Sequence, residues 1–155
     1  MRLVDDLGRT VELAATPERI VSLVPSLTET LFAIGAGSRV VAVTRYCEEP
    51  AADVARVPKV RGTKNPDLQA IVELAPDVVV MNAEENRRED FDALAVAGVP
   101  VFVTEPKTIL EGIRSIAQLA ELTDCPTGLA LAAEQERRVR ATLAQVEGRR
   151  PVRYF

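Results

Sequence analysis

The chain has no histidine and no tryptophan. Without an imidazole it forms no Ser-His-Asp triad, no Cys-His nucleophile pair and no histidine-based zinc site. Cysteine is scarce: Cys47 and Cys125 are the 2 present, far apart and without C-x-x-C spacing, which reads as free thiols rather than a disulfide. No apolar run approaches the ~20 residues that a membrane-spanning helix requires. The opening, MRLVDDLGRT, lacks the basic start and apolar core of an export signal, so at face value the chain reads as cytosolic. A net charge of -4 argues against a nucleic-acid binder. Arg137, Arg138, Arg140, Arg149, Arg150 and Arg153 alternate with Glu134, Glu136 and Glu147, a pattern expected of a solvated helix face.

What is present has the balance of a globular domain, 47% hydrophobic and 27% charged over 155 residues. A short hairpin is predicted around Asp5-Asp6-Leu7-Gly8. Strands and helices then alternate. The runs IVSLV (20–24), VVAV (40–43), VVVM (78–81) and VFV (101–103) are almost wholly apolar, as strands buried on both faces should be. Between them, Ser26 with Glu29, and Asn86 with Glu89, read as capping boxes. Asn65 reads as a helix cap before Pro66, and Thr108 with Glu111 as a further box. Gly35 and Gly98 are helix stops. Beyond a break at 123–127, a stripe of Leu129, Ala132, Val139, Leu143 and Val146 predicts one long helix, and Pro151–Phe155 a further strand.

The fold class expected is α/β: an open parallel sheet with helices on both faces, followed by a long helix and a further strand. The boundaries are 1–123 for the α/β unit with its hairpin, 126–148 for the helix and 150–155 for the further strand. In such sheets ligands sit beyond the carboxyl ends of the strands. That rule selects Pro25, Ser26 and Leu27; Tyr46 and Cys47; Gly62, Thr63 and Lys64; Asn82, Glu84 and Arg87; and the stretch 104–107.

Each motif has an ordinary reading beside its functional one. Ser26 lies at a strand-to-helix turn without a base to activate it, so capping explains it better than nucleophilic catalysis. Gly35-Ala36-Gly37 follows a helix and precedes a strand, the wrong order for a dinucleotide loop. Tyr46, isolated among aromatics between Phe32 and Phe91, suits stacking on a flat ligand or covering local core. Cys47 lacks neighbouring donors for a soft metal. Glu48-Glu49 and Glu84-Glu85 read as surface charge more readily than as a cation site. Arg45, Lys64, Arg87 and Lys107 would make the rim receptive to an anionic substituent.

Three features together resemble one family: strand-Pro25-Ser26-x-Thr28-Glu29, the Tyr46 loop followed by Pro50, and Asn65-x-x-Leu68-x-x-Ile71-x-x-Leu74-x-Pro76-Asp77. In this order they are similar to the N-terminal lobe of class III periplasmic binding proteins. These helical-backbone metal receptors bind cobalamin or iron-siderophores for ABC importers, and the resemblance is strongest to the cobalamin branch. It implies an extracytoplasmic receptor of two lobes joined by a rigid helix, with 126–148 as that backbone helix, 150–155 as the start of a truncated second lobe, no catalysis and no intrinsic cofactor. Cobalamin or a ferric siderophore would be the ligand and an ABC permease the partner. Tyr46 would face the corrin ring, with Pro25-Ser26 at the cleft floor. Arg61 stands where cobalamin binders can carry tryptophan, and Gln69 where the family places its permease-docking glutamate. The other readings are a self-associating lobe, with a homodimer across the apolar helix stripe, and a cytosolic enzyme using Glu84, Glu85 or Glu105 as general base.

Overall fold

The computed structural model describes residues 1–150. Its centre is a parallel sheet in the order β4 (Val40–Val43), β3 (Ile20–Ser22), β7 (Val78–Asn82), β8 (Val101–Thr104). Alternate residues of these strands divide between two cores. Ile20, Val78, Val80 and Phe102 pack with α1 (Pro25–Ala33) and α5 (Ile109–Leu122). Val21, Val79, Met81, Val101 and Val103 pack with α3 (Leu68–Glu73) and α4 (Arg88–Val96). Because both faces are covered, each strand reads as a continuous apolar run.

The remaining elements decorate the edges. The hairpin β1 (Arg2–Val4) and β2 (Thr10–Glu12) is closed by Asp5, whose buried carboxylate accepts from the backbone of Leu7 and Arg9 and from the Arg9 guanidinium. Asp6 fastens the hairpin to the sheet: its amide donates to Val103 O and its carboxylate accepts from Glu105 N at 2.7 Å. A short α2 (Ala51–Val54) follows β4, and a two-residue ladder, β5 (Arg61–Gly62) with β6 (Asn65–Pro66), projects a turn beside the sheet.

Helix α6 (Pro126–Val146) packs its first turns on α5, and its second half is exposed. Of the predicted stripe only Ala132 is buried, whereas Leu129, Leu143 and Val146 are open to solvent. Arg137, Arg138 and Arg140 form the solvated helix face expected, the first two paired to Glu134 and the third to Glu136, whereas Arg149 and Arg150 follow the end of α6 and Arg153 lies outside the described residues. Cys47 and Cys125 are free thiols, both buried. The strand expected over Pro151–Phe155 lies outside the described residues. No helix among those described is long and apolar enough to cross a membrane.

Three predicted caps fall elsewhere. Helix α1 begins two residues earlier than expected, with Val24 at the cap and Pro25 in the first turn, so Ser26 caps nothing. Asn65-Pro66 belongs to the small ladder, and Asp67 caps α3 by accepting from Ala70 N. Asn86 turns its side chain inward, leaving Arg87 at the cap of α4. Thr108 does cap α5, accepting from Glu111 N at 3.2 Å.

Two stability effects follow. A Cβ at Gly128 would stand 2.6 Å from Ala120 Cβ and 2.9 Å from Ile34 Cβ, where α6 crosses α5 and α1. Gly128→Ala, which in an open helix gains about 1 kcal/mol, is expected instead to destabilise by roughly 1–3 kcal/mol through overpacking; denaturant titration reads the sign. Asp90 is buried on α4 with Oδ2 unpartnered, and that burial pushes its carboxyl above the usual range. The folded state therefore holds this proton more tightly than the unfolded chain, and ionisation opposes folding above the raised value. Asp90→Asn should raise Tm at neutral pH, with the gain shrinking as pH falls and the wild-type carboxyl becomes protonated.

Candidate functional site

The sheet order creates a crevice. β3 connects through α1 on one face to β4, and β7 connects through α4 on the other face to β8. The chain therefore diverges between the carboxyl ends of β3 and β7, where doubly wound sheets leave room for a ligand. Pro25 and Ser26 leave this point on one side, and residues 83–87 on the other.

Asn86 holds the crevice together. Its amide nitrogen donates to Leu23 O at 3.3 Å and to Thr63 O at 3.0 Å, and its oxygen accepts from Asn82 N at 2.9 Å. One buried side chain thus joins the ends of β3 and β7 to the β5–β6 turn. Asn82 adds a second clasp, its Oδ1 accepting from the amides of Glu84 and Glu85.

Beneath the β3 and β4 ends lies a closed polar knot. Thr28 Oγ1 is 2.8 Å from Ser22 Oγ and 3.2 Å from Cys47 Sγ, and Thr44 Oγ1 is also 3.2 Å from that sulfur. Cys47 is 1% exposed. Its selection as a rim contact is therefore corrected: the turn that presents Tyr46 outward points the next side chain inward. Leu27 is likewise buried in the core, one face of α1 away from the exposed Ser26.

Tyr46 is the opposite case, 53% exposed on the rim. It rests on the β5–β6 ladder. A Cβ at Gly62 would stand 3.3 Å from Tyr46 Cε2, 3.7 Å from Arg45 Nε and 2.5 Å from Asn65 Oδ1, so glycine alone lets these side chains lie against the backbone. The preceding residue, Arg61, has φ 62°, a left-handed conformation uncommon outside glycine. Its carbonyl accepts from Arg45 N at 2.7 Å, and its guanidinium pairs with Asp67 at 3.2 Å. Arg45 in turn donates to the Tyr46 hydroxyl at 3.0 Å, with its guanidinium carbon 5.0 Å from the ring centre.

The far side of the crevice is ionic. Lys107 Nζ lies 2.7 Å from Glu84 Oε1 and 3.3 Å from Glu105 Oε1. The hydrogen bond from Lys107 holds the Glu84 carboxyl below its usual range, and the same bond raises the ammonium. Lys64 reaches across from the β5–β6 turn to donate to Glu84 O at 2.6 Å. Arg87 is exposed and loosely paired with Glu89 at 3.6 Å.

The structure thus brings Pro25, Ser26, Tyr46, Arg61, Gly62, Thr63, Lys64, Asn82, Glu84 and Arg87 to one margin. Thr63 is buried and its carbonyl is taken by Asn86, so its selection as a ligand contact is corrected: it fastens the turn to the sheet. Gln69 stands apart on α3, donating to Glu73 Oε1 at 2.9 Å. Sequence reasoning missed Asn86 as a fastener, because an asparagine three residues before a glutamate matches a capping box equally well. Among the described residues no group of His, Cys, Asp and Glu is placed to hold a metal. A separate cavity of about 510 Å³ lies between the hairpin and α4, lined by Leu7, Arg9 and Phe91, and it meets the rim only at Asn82 through Arg87. Arg9 there is already bound by Asp5 and stacked 3.7 Å over Phe91.

Residues 20–151 match the family model described as periplasmic binding protein. The vitamin B12-binding protein of Yersinia pestis (strain Pestoides F) is 32% identical over 124 residues, which is 80% of this chain and 44% of that protein. The chain therefore spans less than half the length of the curated relatives it matches. Among solved structures, the periplasmic vitamin B12 binding protein of Vibrio cholerae superposes with a TM-score of 0.83 at 26% identity, over 90% of this chain and 55% of that one. A periplasmic heme binding protein from Pseudomonas aeruginosa gives 0.73 at 26%, over 88% and 50%. With the family model spanning the sheet, the crevice and both long helices, the chain belongs to the periplasmic binding protein family.

Proposed function

We propose that this chain supplies one wall of a cleft that binds a corrinoid or haem-like metal chelate, with ferric siderophores the nearest alternative. The protein would be the substrate-binding component of an ABC-type importer, working outside the cytoplasm and presenting its cargo to a permease. The metal belongs to the cargo. The observation that carries the reading is the exposed Tyr46 ring, seated on Gly62 at the crevice between β3 and β7. A flat aromatic surface on a prebuilt backbone offers a macrocycle a stacking partner that loses little entropy on binding. The relatives bearing on this chain are themselves named for vitamin B12 and haem.

The rim suits binding better than catalysis. A general base works best with a pKa near the operating pH, and Lys107 drives Glu84 the other way. Ser26 has no base beside it in a chain without histidine. The relatives lend no support to self-association. Docking on a permease would draw no charge from Gln69, whose amide is engaged with Glu73.

A single wall buries only part of a macrocycle, so Kd is expected in roughly the micromolar-to-millimolar range. Titration with cyanocobalamin, ferric protoporphyrin IX and a ferric siderophore, followed by absorbance and calorimetry, identifies the class. Tyr46→Ala should weaken the bound ligand by about tenfold while leaving Tm close to wild type, since the ring is half exposed. Failure of all the ligands to bind at millimolar concentration would remove the proposal.

A further inference from the structure

Building on that reading of the site, we propose that Arg45 recognises a carboxylate on the edge of the ligand whose flat face lies over Tyr46. The argument starts from how the rim's cations are engaged. Lys107 is held by Glu84 and Glu105, Arg61 by Asp67, and Arg87 loosely by Glu89. Lys64 is directed at the Glu84 carbonyl. Among the described residues Arg45 and Lys64 both lack a carboxylate partner, but Lys64 is taken by a backbone carbonyl, whereas the Arg45 side chain donates to the Tyr46 hydroxyl alone.

A guanidinium carries five N–H donors in a planar fork suited to a carboxylate. Here the fork is also positioned. The Arg45 amide is fixed to Arg61 O, the side chain passes over Gly62, and one terminal nitrogen is tied to the Tyr46 hydroxyl. The guanidinium carbon lies over the Tyr46 ring, 5.0 Å from its centre, while a terminal nitrogen is 3.0 Å from the hydroxyl at the ring's edge. A macrocycle lying against Tyr46 would bring the substituents that reach past the hydroxyl edge to the terminal nitrogens of Arg45. An amide substituent would accept one hydrogen bond there, whereas a carboxylate would accept two and neutralise the charge.

The test removes the charge from each side in turn. Ferric protoporphyrin IX is compared with its dimethyl ester, and cobyrinic acid with its heptamethyl ester, in the same detergent, on wild-type chain, Arg45→Gln and Arg45→Lys. Whichever scaffold binds, wild type should prefer the acid form by about tenfold. Arg45→Gln should bring that preference close to one, and Arg45→Lys should keep part of it. An arginine that merely braces Tyr46 would lower affinity for acid and ester alike and leave their ratio unchanged; that result overturns the proposal. Equal binding of acid and ester by wild type overturns it too, while the macrocycle reading stands. No binding of any form by wild type removes both together.

Discussion

The margin exists as a surface because one asparagine amide satisfies three backbone groups at once. The chain parts in opposite directions after β3 and β7, and Asn86 supplies partners there for Leu23 O and Asn82 N and, from the β5–β6 turn, for Thr63 O. Buried backbone groups without partners are costly. Asn86 answers all three from a position that is itself 6% exposed. Nothing apolar of the same shape would do so, and an aspartate would offer two acceptors where two donors are required. With the turn between β5 and β6 fixed to the sheet in this way, whatever rests on that turn is fixed as well.

Tyr46 and Arg45 are what rest on it. Arg61 adopts a left-handed backbone so that the ladder can reverse within a few residues, and Gly62 then exposes bare backbone for two side chains to cross. The salt bridge from Arg61 to Asp67 ties the strained residue to the cap of α3. Strain at a special backbone position persists only where surrounding contacts determine it. Here those contacts come from the sheet through Asn86 and from α3 through Asp67. The aromatic platform is thus rigid although it lies on loops, which is what a stacking surface for a flat ligand requires.

The sheet and its helices were legible because two-sided burial writes itself into consecutive Val and Ile residues, and because Gly35 and Gly98 stop helices where a left-handed residue is needed. The rim as a set of stretches was legible by the same route, since parallel strands must all end on one side. Caps were less so. Ser26, Asn65 and Asn86 have side chains that suit a helix start, and each takes part in something else: the exposed face of α1, the β5–β6 ladder, and the crevice clasp. Local pattern shows what a short polar side chain is able to bond, not which of several backbone groups will be nearest after folding. Cys47 was lost for a related reason. Adjacent residues in a turn point to opposite sides, so a stretch can lie on the rim while every second side chain lies beneath it.

Helix α6 shows how far the described residues carry the cleft. Its first turns are locked to the lobe by Gly128, by Ala132 and by Thr127, whose hydroxyl donates to Ile34 O at 2.8 Å. Beyond them the helix continues with Leu143 and Val146 exposed and with paired charges around them. A helix polar over most of its surface gains little from solvent alone, and its direction is set by the end that is buried. The lobe therefore fixes the course of α6, and anything packed on its far half would inherit an orientation relative to Tyr46. A body packed there would need no stiff loop to set its angle, because the close contact of Gly128 with Ala120 and Ile34 already determines the direction of the helix.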